Sequence, residues 1–216
     1  DLVVLATGVK PRELKLDGID HPKVLSYLDV LDKERVVGQK VAVIGAGGIG
    51  IDVAHYLTAQ TPFSGEVPEY FQGYGILDSE KALALRKPKK REVTVLQRSA
   101  DKIGKRLGKT TGWAHIQTLK SHGVQLLPGA TYIKIADSGL HVRVALKKGE
   151  EPKEIVFEVD NVIVAAGQEP RRELETSLRK AGFEVHVIGG AKAALGLDAK
   201  TAISDGAELA AKLEKY

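Results

Sequence analysis

The 216-residue sequence contains no cysteine and no methionine, and only 5% of its residues are aromatic. Without cysteine, these residues cannot form disulfides, thiolate metal sites or an iron–sulfur cluster. No apolar run approaches the ~18 residues that a membrane-spanning helix requires, so we expect no membrane partner. Because there is neither an initiating methionine nor a secretory leader, we interpret the chain as a piece of a longer or processed cytoplasmic protein.

The charge balance is slightly basic, with 32 Lys and Arg against 28 Asp and Glu. This surplus suits an anionic ligand, but the basic residues are too scattered to favour nucleic acid. The six histidines show no metal-ligand spacing, and no nucleophile-elbow motif is present. We therefore expect no metal site and no hydrolase.

Two stretches of the chain share nearly the same sequence pattern, "DLVVLATGVKP" at residues 1–11 and "DNVIVAAGQEP" at residues 160–170. In both, an Asp precedes an apolar run typical of a buried parallel strand, followed by Ala-x-Gly and a Pro three residues after the Gly. Small residues at a strand end let a ligand approach the backbone closely, although they also serve packing alone. We predict two nucleotide sites, with candidate residues Ala6, Thr7 and Gly8 in one and Ala166 and Gly167 in the other.

A glycine-rich turn, "GAGGIG" at residues 45–50, follows a predicted strand at Lys40–Ile44 and precedes an amphipathic helix. In the dinucleotide fingerprint the first Gly permits the turn, the second admits the pyrophosphate and the third lets the helix pack closely on the strand. The helix N-terminus then faces the anion. A plain Gly-rich turn is the alternative. The candidate pyrophosphate contacts are Gly45, Ala46, Gly47, Gly48, Ile49 and Gly50.

The end of the next predicted strand, "EVTVLQRS", indicates which dinucleotide is bound. An acid at this position would accept hydrogen bonds from the ribose hydroxyls of NAD. The sequence instead has Gln97, Arg98 and Ser99, followed by Lys102, which suits a 2′-phosphate. We predict NADPH over NADH; the alternative is that Arg98 is a solvated surface residue.

The rest of the chain reads as an α/β fold that joins a Rossmann-like parallel sheet to an antiparallel meander. Residues 60–91 look like an insertion, and Trp113 suggests a core or lid position. A further strand is predicted from Glu184, and a terminal helix is predicted after Asp198 as its N-cap. Gly189, Gly190, Asp198 and Ala199 lie where free backbone N–H groups could face an electron-rich ring.

Several motifs together carry a resemblance to a known family: "ATGVKPR", "DGIDHPKVLSYLDVL", "GKTTGWAHIQTLKSHGV" and "VIGGAKAALGLDAKTAI". They resemble the C-terminal part of bacterial NADPH-dependent 2,4-dienoyl-CoA reductases, flavoproteins related to trimethylamine dehydrogenase, over nearly the whole chain. The resemblance implies a glutathione-reductase-like arrangement, in which an NADPH-binding domain (residues 37–167) is inserted into an FAD-binding domain. Residues 1–36 and 168–216 would be parts of that FAD-binding domain.

The same resemblance implies a function in fatty acid β-oxidation, where hydride passes from NADPH to FAD and electrons reach FMN through a [4Fe–4S] cluster. The FMN and cluster barrel and the remaining FAD segments are missing partners, so we expect no activity from this chain alone. Lys192 and Gly196 stand where the family carries acids. A non-catalytic dinucleotide-binding module and a basic nucleic-acid-binding protein are the alternatives. By position, NADPH would be held by Gly45, Gly47, Gly50 and Arg98, and FAD by Thr7, Gly8, Gly189, Gly190 and Ala199.

Overall fold

The computed structural model describes residues 2–33, 35–58, 91–145 and 149–213. The chain divides into two compact units, residues 1–13 with 167–216 and residues 14–166. Within the described ranges the strands are β1 Leu2–Leu5, β2 Val9–Pro11, β3 Val24–Ser26, β4 Lys40–Ile44, β5 Glu92–Leu96, β6 Gln125–Leu127, β7 Thr131–Ala136, β8 Gly139–Val144, β9 Lys153–Phe157, β10 Asn161–Val164, β11 Gln168–Pro170 and β12 Glu184–Val187. The helices are α1 Tyr27–Leu31, α2 Gly48–Thr58, α3 Gly112–Ser121, α4 Glu175–Lys180 and α5 Ala199–Leu213, with a 3₁₀ turn at Gly189–Ala191.

Residues 14–166 are built on a five-stranded parallel sheet in the order β3-β10-β4-β5-β6. Strand β4 lies at its centre, and its side chains enter two different core clusters. Val41 and Val43 pack on one face, whereas Ala42 and Ile44 pack on the other. Because both faces are covered, β4 is apolar from Val41 to Ile44 instead of alternating with polar residues.

The two faces of this sheet are covered by different structures. Helices α1, α2 and α3 contribute buried side chains to one cluster, among them Val30, Val53 and Leu119. The antiparallel sheet β7-β8-β9 contributes Leu140 and Val142 to the other. The parallel sheet and the meander predicted from the sequence are therefore both present, and the α/β fold class is confirmed.

The other unit has two small sheets and a long exposed helix. Strand β1 pairs in parallel with β12. Helix α5 carries its apolar residues along one side, yet none of its described side chains is buried, and Ile203 is 71% exposed. Its N-cap is as predicted, since Asp198 Oδ1 accepts a hydrogen bond from the Thr201 N–H at 2.7 Å.

The two stretches of similar sequence, residues 1–11 and 160–170, meet in a two-stranded antiparallel ribbon formed by β2 and β11. Gly8 and Gly167 both adopt positive φ, 74° and 111°, which glycine takes readily. After each glycine the chain forms a short strand, and these two strands, β2 and β11, pair with each other antiparallel. The ribbon is closed by hydrogen bonds from the Arg12 N–H to the Gly167 carbonyl and from the Arg171 N–H to the Gly8 carbonyl, both 3.0 Å.

The first boundary between the units lies after residue 13, not after residue 36 as predicted. Residues 14–36 look like a long connection because of their Gly, Pro and Asp content, but they include β3, which pairs with β10. They also include α1, which begins with a capping box between Ser26 and Asp29. The chain returns to the other unit after residue 166. The predicted insertion at 60–91 lies outside the described residues except for Arg91.

No helix in the described part of the chain is both long and apolar enough to cross a bilayer.

Histidines meet where α2 packs against α3. The rings of His55 and His115 lie edge to face at 5.3 Å between centroids, and among the described residues His55 Nε2 is buried without a hydrogen-bond partner. Burial lowers the pKa of His55, and charge repulsion with His115 and His122 lowers it further, against the smaller raising effects of a backbone hydrogen bond with His115 and of Asp52. The folded state therefore disfavours protonation of His55.

This partly buried histidine predicts a pH-dependent stability. Because the pKa of His55 is lower in the folded chain than the ordinary 6.5, the unfolded chain binds more protons near and below that pH. Stability should be fully present above about pH 6.5 and fall as the pH drops below it, with a slope of at most about 1.4 kcal/mol per pH unit for one proton. Urea unfolding at pH 7.5, 6.5 and 5.5 measures this slope. His55→Gln should flatten it, and an identical slope in the variant would contradict the assignment.

Candidate functional site

The glycine turn lies at the carboxyl end of the central strand β4, between β10 and β5. Gly45 has a φ of 112°, and a Cβ at this position would stand 2.3 Å from the Ala165 carbonyl oxygen at the end of β10. A Cβ on Gly50 would stand 1.9 Å from the Gly45 carbonyl oxygen. These two glycines are therefore required by the closeness of turn, strand and helix.

The other two glycines of the turn face open space. A Cβ on Gly47 or Gly48 would meet no atom within 4 Å, and both residues are exposed. They open helix α2, whose first backbone N–H groups lack intrahelical acceptors. The turn thus leaves bare backbone and a helix N-terminus facing solvent, which is the surface that a pyrophosphate requires.

Ala46 and Ile49, also predicted to contact the cofactor, point their side chains inward. Ala46 is 9% exposed within the helix-covered core cluster, and Ile49 packs against the same cluster. Only the backbone of these two residues is placed to face a ligand.

The loop after β5 begins at the same edge of the sheet. Arg98 is exposed, and its guanidinium has no hydrogen-bond or ion-pair partner among the described residues. Gln97, predicted to contact the cofactor, is instead used by the loop itself. Its amide Nε2 donates to the carbonyls of Ser99, at 3.0 Å, and Asp101, at 2.8 Å. Gln97 therefore shapes the loop, whereas Arg98 is free to receive an anion.

An acid that the sequence interpretation overlooked also lies in this loop. Asp101 accepts hydrogen bonds from Lys105 Nζ at 2.9 Å and from the Ser99 hydroxyl at 3.0 Å. The bonds from Lys105 and then Ser99 hold the pKa of Asp101 below its ordinary value. The Ser99 hydroxyl is thus engaged, and could turn to a phosphate only by leaving Asp101.

Cations outnumber this single acid around the loop. Lys102, Arg106 and Lys109 are exposed, and none has a hydrogen-bond or ion-pair partner within the described residues. Together with Arg98 they give the loop after β5 an excess of positive charge, which attracts phosphate. Trp113 follows this loop at the start of α3 and is 61% exposed, so it does not occupy the core position considered from the sequence.

The second Ala-x-Gly strand end is divided between the units. Ala166 belongs to the unit of residues 14–166, where its side chain packs against the core cluster covered by the antiparallel sheet. Gly167 belongs to the other unit and lies in the ribbon, next to the Arg12 guanidinium. Both Ala165 and Ala166 adjoin the glycine turn, since a Cβ on Gly45 would stand 2.3 Å from the Ala165 carbonyl oxygen and 3.2 Å from the Ala166 Cα.

In the other unit, the structure brings Gly8 and Gly190 together. A Cβ on Gly190 would meet the Gly8 carbonyl carbon at 3.1 Å and Val9 at 2.9 Å. Ala6 and Thr7 are exposed, and the Thr7 hydroxyl donates to the Arg171 carbonyl. The predicted contacts from both ends of the chain therefore share one region.

Two of the residues predicted to contact FAD or its ring in this unit, Gly189 and Asp198, form hydrogen bonds within the protein. The Gly189 N–H donates to Asp205 Oδ2 at 2.9 Å, while Asp205 Oδ1 accepts from Lys192 at 2.6 Å. Asp198 caps α5, which leaves the exposed Ala199 at the first position of the helix. Lys192, standing where the resembling family has an acid, is thus paired with α5 through Asp205.

A groove of about 600 Å³ runs beside β12 and α5 in this unit. It extends from Glu184, the first residue of β12, past Val187 at its end, and Lys212 and Leu213 lie on the α5 side. Because it follows the length of the strand, it differs from the cofactor crevices of α/β sheets, which lie outside the carboxyl ends of strands.

Known proteins resemble this chain in sequence and in fold. A metal reductase of Desulforamulus reducens is 27% identical over 189 residues, which cover 88% of this chain and 27% of that protein. A cinnamate reductase of Clostridium sporogenes is 47% identical over 60 residues, 28% of this chain and 9% of that protein. The structure of a 2-naphthoyl-CoA reductase in complex with 2-naphthoyl-CoA superposes with a TM-score of 0.69 at 26% identity, covering 95% of this chain and 26% of that one.

The chain thus spans about a quarter of the length of the metal reductase and of the 2-naphthoyl-CoA reductase. Residues 1–194 match the family described as pyridine nucleotide-disulphide oxidoreductase, so the match includes both strand ends, the glycine turn and the Arg98 loop. The match implies a flavin and a pyridine nucleotide as cofactors. The chain belongs to the pyridine nucleotide-disulphide oxidoreductase family.

Proposed function

We propose that residues 14–166 bind NADPH and that the chain is the NADPH-binding part of a flavin-dependent reductase similar to the 2,4-dienoyl-CoA reductases. The observation that carries this proposal is the pairing of an open glycine turn with an unpartnered Arg98 at the same edge of one sheet. The turn suits the pyrophosphate and Arg98 suits the 2′-phosphate.

The pyrophosphate part of the proposal is supported by the contrast among the glycines. Gly45 and Gly50 are enclosed, whereas Gly47 and Gly48 have open space where a side chain would stand. A phosphate oxygen can therefore approach the backbone N–H groups at the start of α2. Because these groups are fixed by the helix, they need no rearrangement to receive the anion.

The preference for NADPH is supported by charge. Arg98 has no protein partner within the described residues, and the nearby acid Asp101 is already hydrogen-bonded to Lys105. A guanidinium can donate two parallel hydrogen bonds to a phosphate, which a ribose hydroxyl cannot match. NADPH supplies a hydride, that is two electrons and one proton, when it is bound. The role of this chain is to hold its adenosine end.

The FAD part of the proposal concerns residues 1–13 and 167–216. We propose that Thr7, Gly8, Gly190 and Ala199 contact FAD; Gly189 can add its N–H only if Asp205 releases it. A two-stranded parallel sheet and a helix without buried side chains make an incomplete domain. Further FAD-binding segments, and an FMN and iron–sulfur barrel domain, would complete the enzyme.

The proposed substrate is an unsaturated acyl compound reduced on the missing barrel. The names cinnamate reductase and 2-naphthoyl-CoA reductase both refer to unsaturated or aromatic acyl substrates, which supports this class. By the resemblance, a 2,4-dienoyl-CoA of fatty acid β-oxidation is the substrate we propose.

Titration of the 216-residue chain with NADPH, NADH and FAD separately tests the binding part of this proposal. We expect saturable binding of NADPH, weaker binding of NADH and little retention of FAD. Equal affinity for NADPH and NADH would contradict the NADPH assignment.

The electron-transfer part needs the full-length protein that contains this chain. Adding NADPH to the full-length protein without oxygen should reduce the flavin and bleach its absorbance within the time of one catalytic turnover. A flavin that stays oxidised while NADPH binds would show a non-catalytic nucleotide module instead.

A further inference from the structure

One backbone oxygen connects the glycine turn to the Arg98 loop. The carbonyl of Leu96, the last residue of β5, accepts a hydrogen bond from the Gly45 N–H at 2.9 Å. The same oxygen accepts a second bond from the Tyr132 hydroxyl at 3.0 Å. Gly45 begins the turn proposed to hold the pyrophosphate, and Arg98 stands two residues after Leu96.

Tyr132 reaches this oxygen from the antiparallel sheet. It lies on β7, and its ring packs against the core cluster between the two sheets. Burial raises the pKa of Tyr132 above its ordinary value, and the positive charge of Arg98 opposes that rise. The hydroxyl is therefore protonated at neutral pH and can donate to the Leu96 carbonyl.

Backbone hydrogen bonds to β6 and to the turn after it also hold the loop beyond Leu96. The Gln97 N–H donates to the Leu127 carbonyl at 3.0 Å, and the Ala130 and Gly129 N–H groups donate to Gln97 and Ser99 at 2.8 and 2.9 Å. All of these bonds lie on the β6 side of the loop. On the side of the glycine turn, the shared Leu96 oxygen joins the first residue of the turn to the strand that leads into the Arg98 loop.

We propose that Tyr132 is a positioning residue for NADPH, which holds the Leu96 carbonyl so that the glycine turn and the Arg98 loop keep the spacing that one dinucleotide requires. This inference rests on the proposed function. A ligand that contacts both the turn and Arg98 depends on that spacing, whereas a ligand without a 2′-phosphate depends on the turn alone. Tyr132 should therefore matter more for NADPH than for NADH.

Tyr132→Phe removes the hydroxyl and keeps the ring. Leu96 retains the Gly45 N–H, so no buried acceptor is left without a partner, and we expect the variant to fold. We expect the dissociation constant for NADPH to rise by about threefold to tenfold, the range for loss of one neutral hydrogen bond, and that for NADH by less than about twofold.

A double-mutant cycle with Arg98→Ala separates positioning from a general loss of structure. In the Arg98→Ala background the second change should weaken NADPH binding by less than about twofold, because the spacing no longer serves a 2′-phosphate contact. The matched control is Ser26→Ala, which removes the hydrogen bond to the Asp29 N–H that caps α1 in the same unit. Ser26→Ala should lower the melting temperature by about as much as Tyr132→Phe does and leave NADPH affinity unchanged.

The possible outcomes separate this inference from the proposed function. Wild-type affinity in Tyr132→Phe, or equal losses for NADPH and NADH, would overturn the positioning role alone. So would a Tyr132→Phe chain that does not fold, since the hydroxyl would then be needed for folding itself. A wild-type chain that binds neither nucleotide would overturn the proposed function and this inference with it.

Discussion

Replacing Arg98 with alanine is expected to weaken NADPH binding by roughly tenfold to a hundredfold, because a charge-assisted hydrogen bond contributes about 1.5 to 3 kcal/mol. NADH affinity should change by less than about twofold, since NADH lacks the 2′-phosphate and keeps the contacts to the turn. The ratio of the two dissociation constants, measured by fluorescence titration at fixed ionic strength, is the quantity to compare.

Arg143→Ala is the matched control for this change. Arg143 is an exposed arginine of the same unit, on β8, where it pairs with Glu154 at 2.6 Å. The Arg143→Ala substitution removes the same charge at a position outside the proposed site. If Arg98→Ala and Arg143→Ala give the same NADPH to NADH ratio, Arg98 is a solvated surface residue and the specificity argument is wrong.

The glycines of the turn should separate folding from binding. Gly50→Ala places a methyl group 1.9 Å from the Gly45 carbonyl oxygen, a backbone atom that cannot move away without distorting the turn. We expect it to destabilise the unit by about 3 kcal/mol, the upper part of the range for overpacking. Gly47→Ala meets no atom within 4 Å and should leave the free energy of unfolding within about 0.5 kcal/mol of wild type.

The same Gly47→Ala change should weaken NADPH and NADH binding alike, by at least about tenfold, because its methyl group fills the space through which the pyrophosphate approaches. Urea unfolding and nucleotide titration of both variants test this contrast. Gly206→Ala, in α5 and also free of contacts, controls for replacing a glycine on an open surface. Wild-type nucleotide affinity in Gly47→Ala would mean that the pyrophosphate does not lie over this turn.

The central part of the fold could be predicted to the residue because local and long-range requirements agree there. Strand β4 spans Lys40–Ile44 as predicted, since an apolar run bounded by the glycine turn fits only a buried parallel strand. The start of β12 at Glu184 and the Asp198 cap followed from equally local patterns. Which of the candidate residues touch a cofactor stays a prediction.

Features that depend on partners distant in sequence escaped the sequence interpretation. Strand β3 has only three residues, and what makes it a strand is its pairing with β10, more than 130 positions away. The side chain of Gln97 hydrogen-bonds to the carbonyls of its own loop. Those carbonyls come into reach only when the loop is folded, so the sequence did not indicate this role. Tyr132 gave no signal at all, because its partner is a main-chain oxygen.

The ribbon of β2 and β11 has a consequence for how such a protein could arise. Because the Arg12 N–H and the Gly167 carbonyl are 3.0 Å apart, the stretch between them leaves and rejoins its host at one point. A folded insert whose two ends touch adds almost no loop-closure entropy to the host, however many residues it contains. Gene fusion could therefore have exchanged one nucleotide-binding module for another at this junction without rebuilding the surrounding protein.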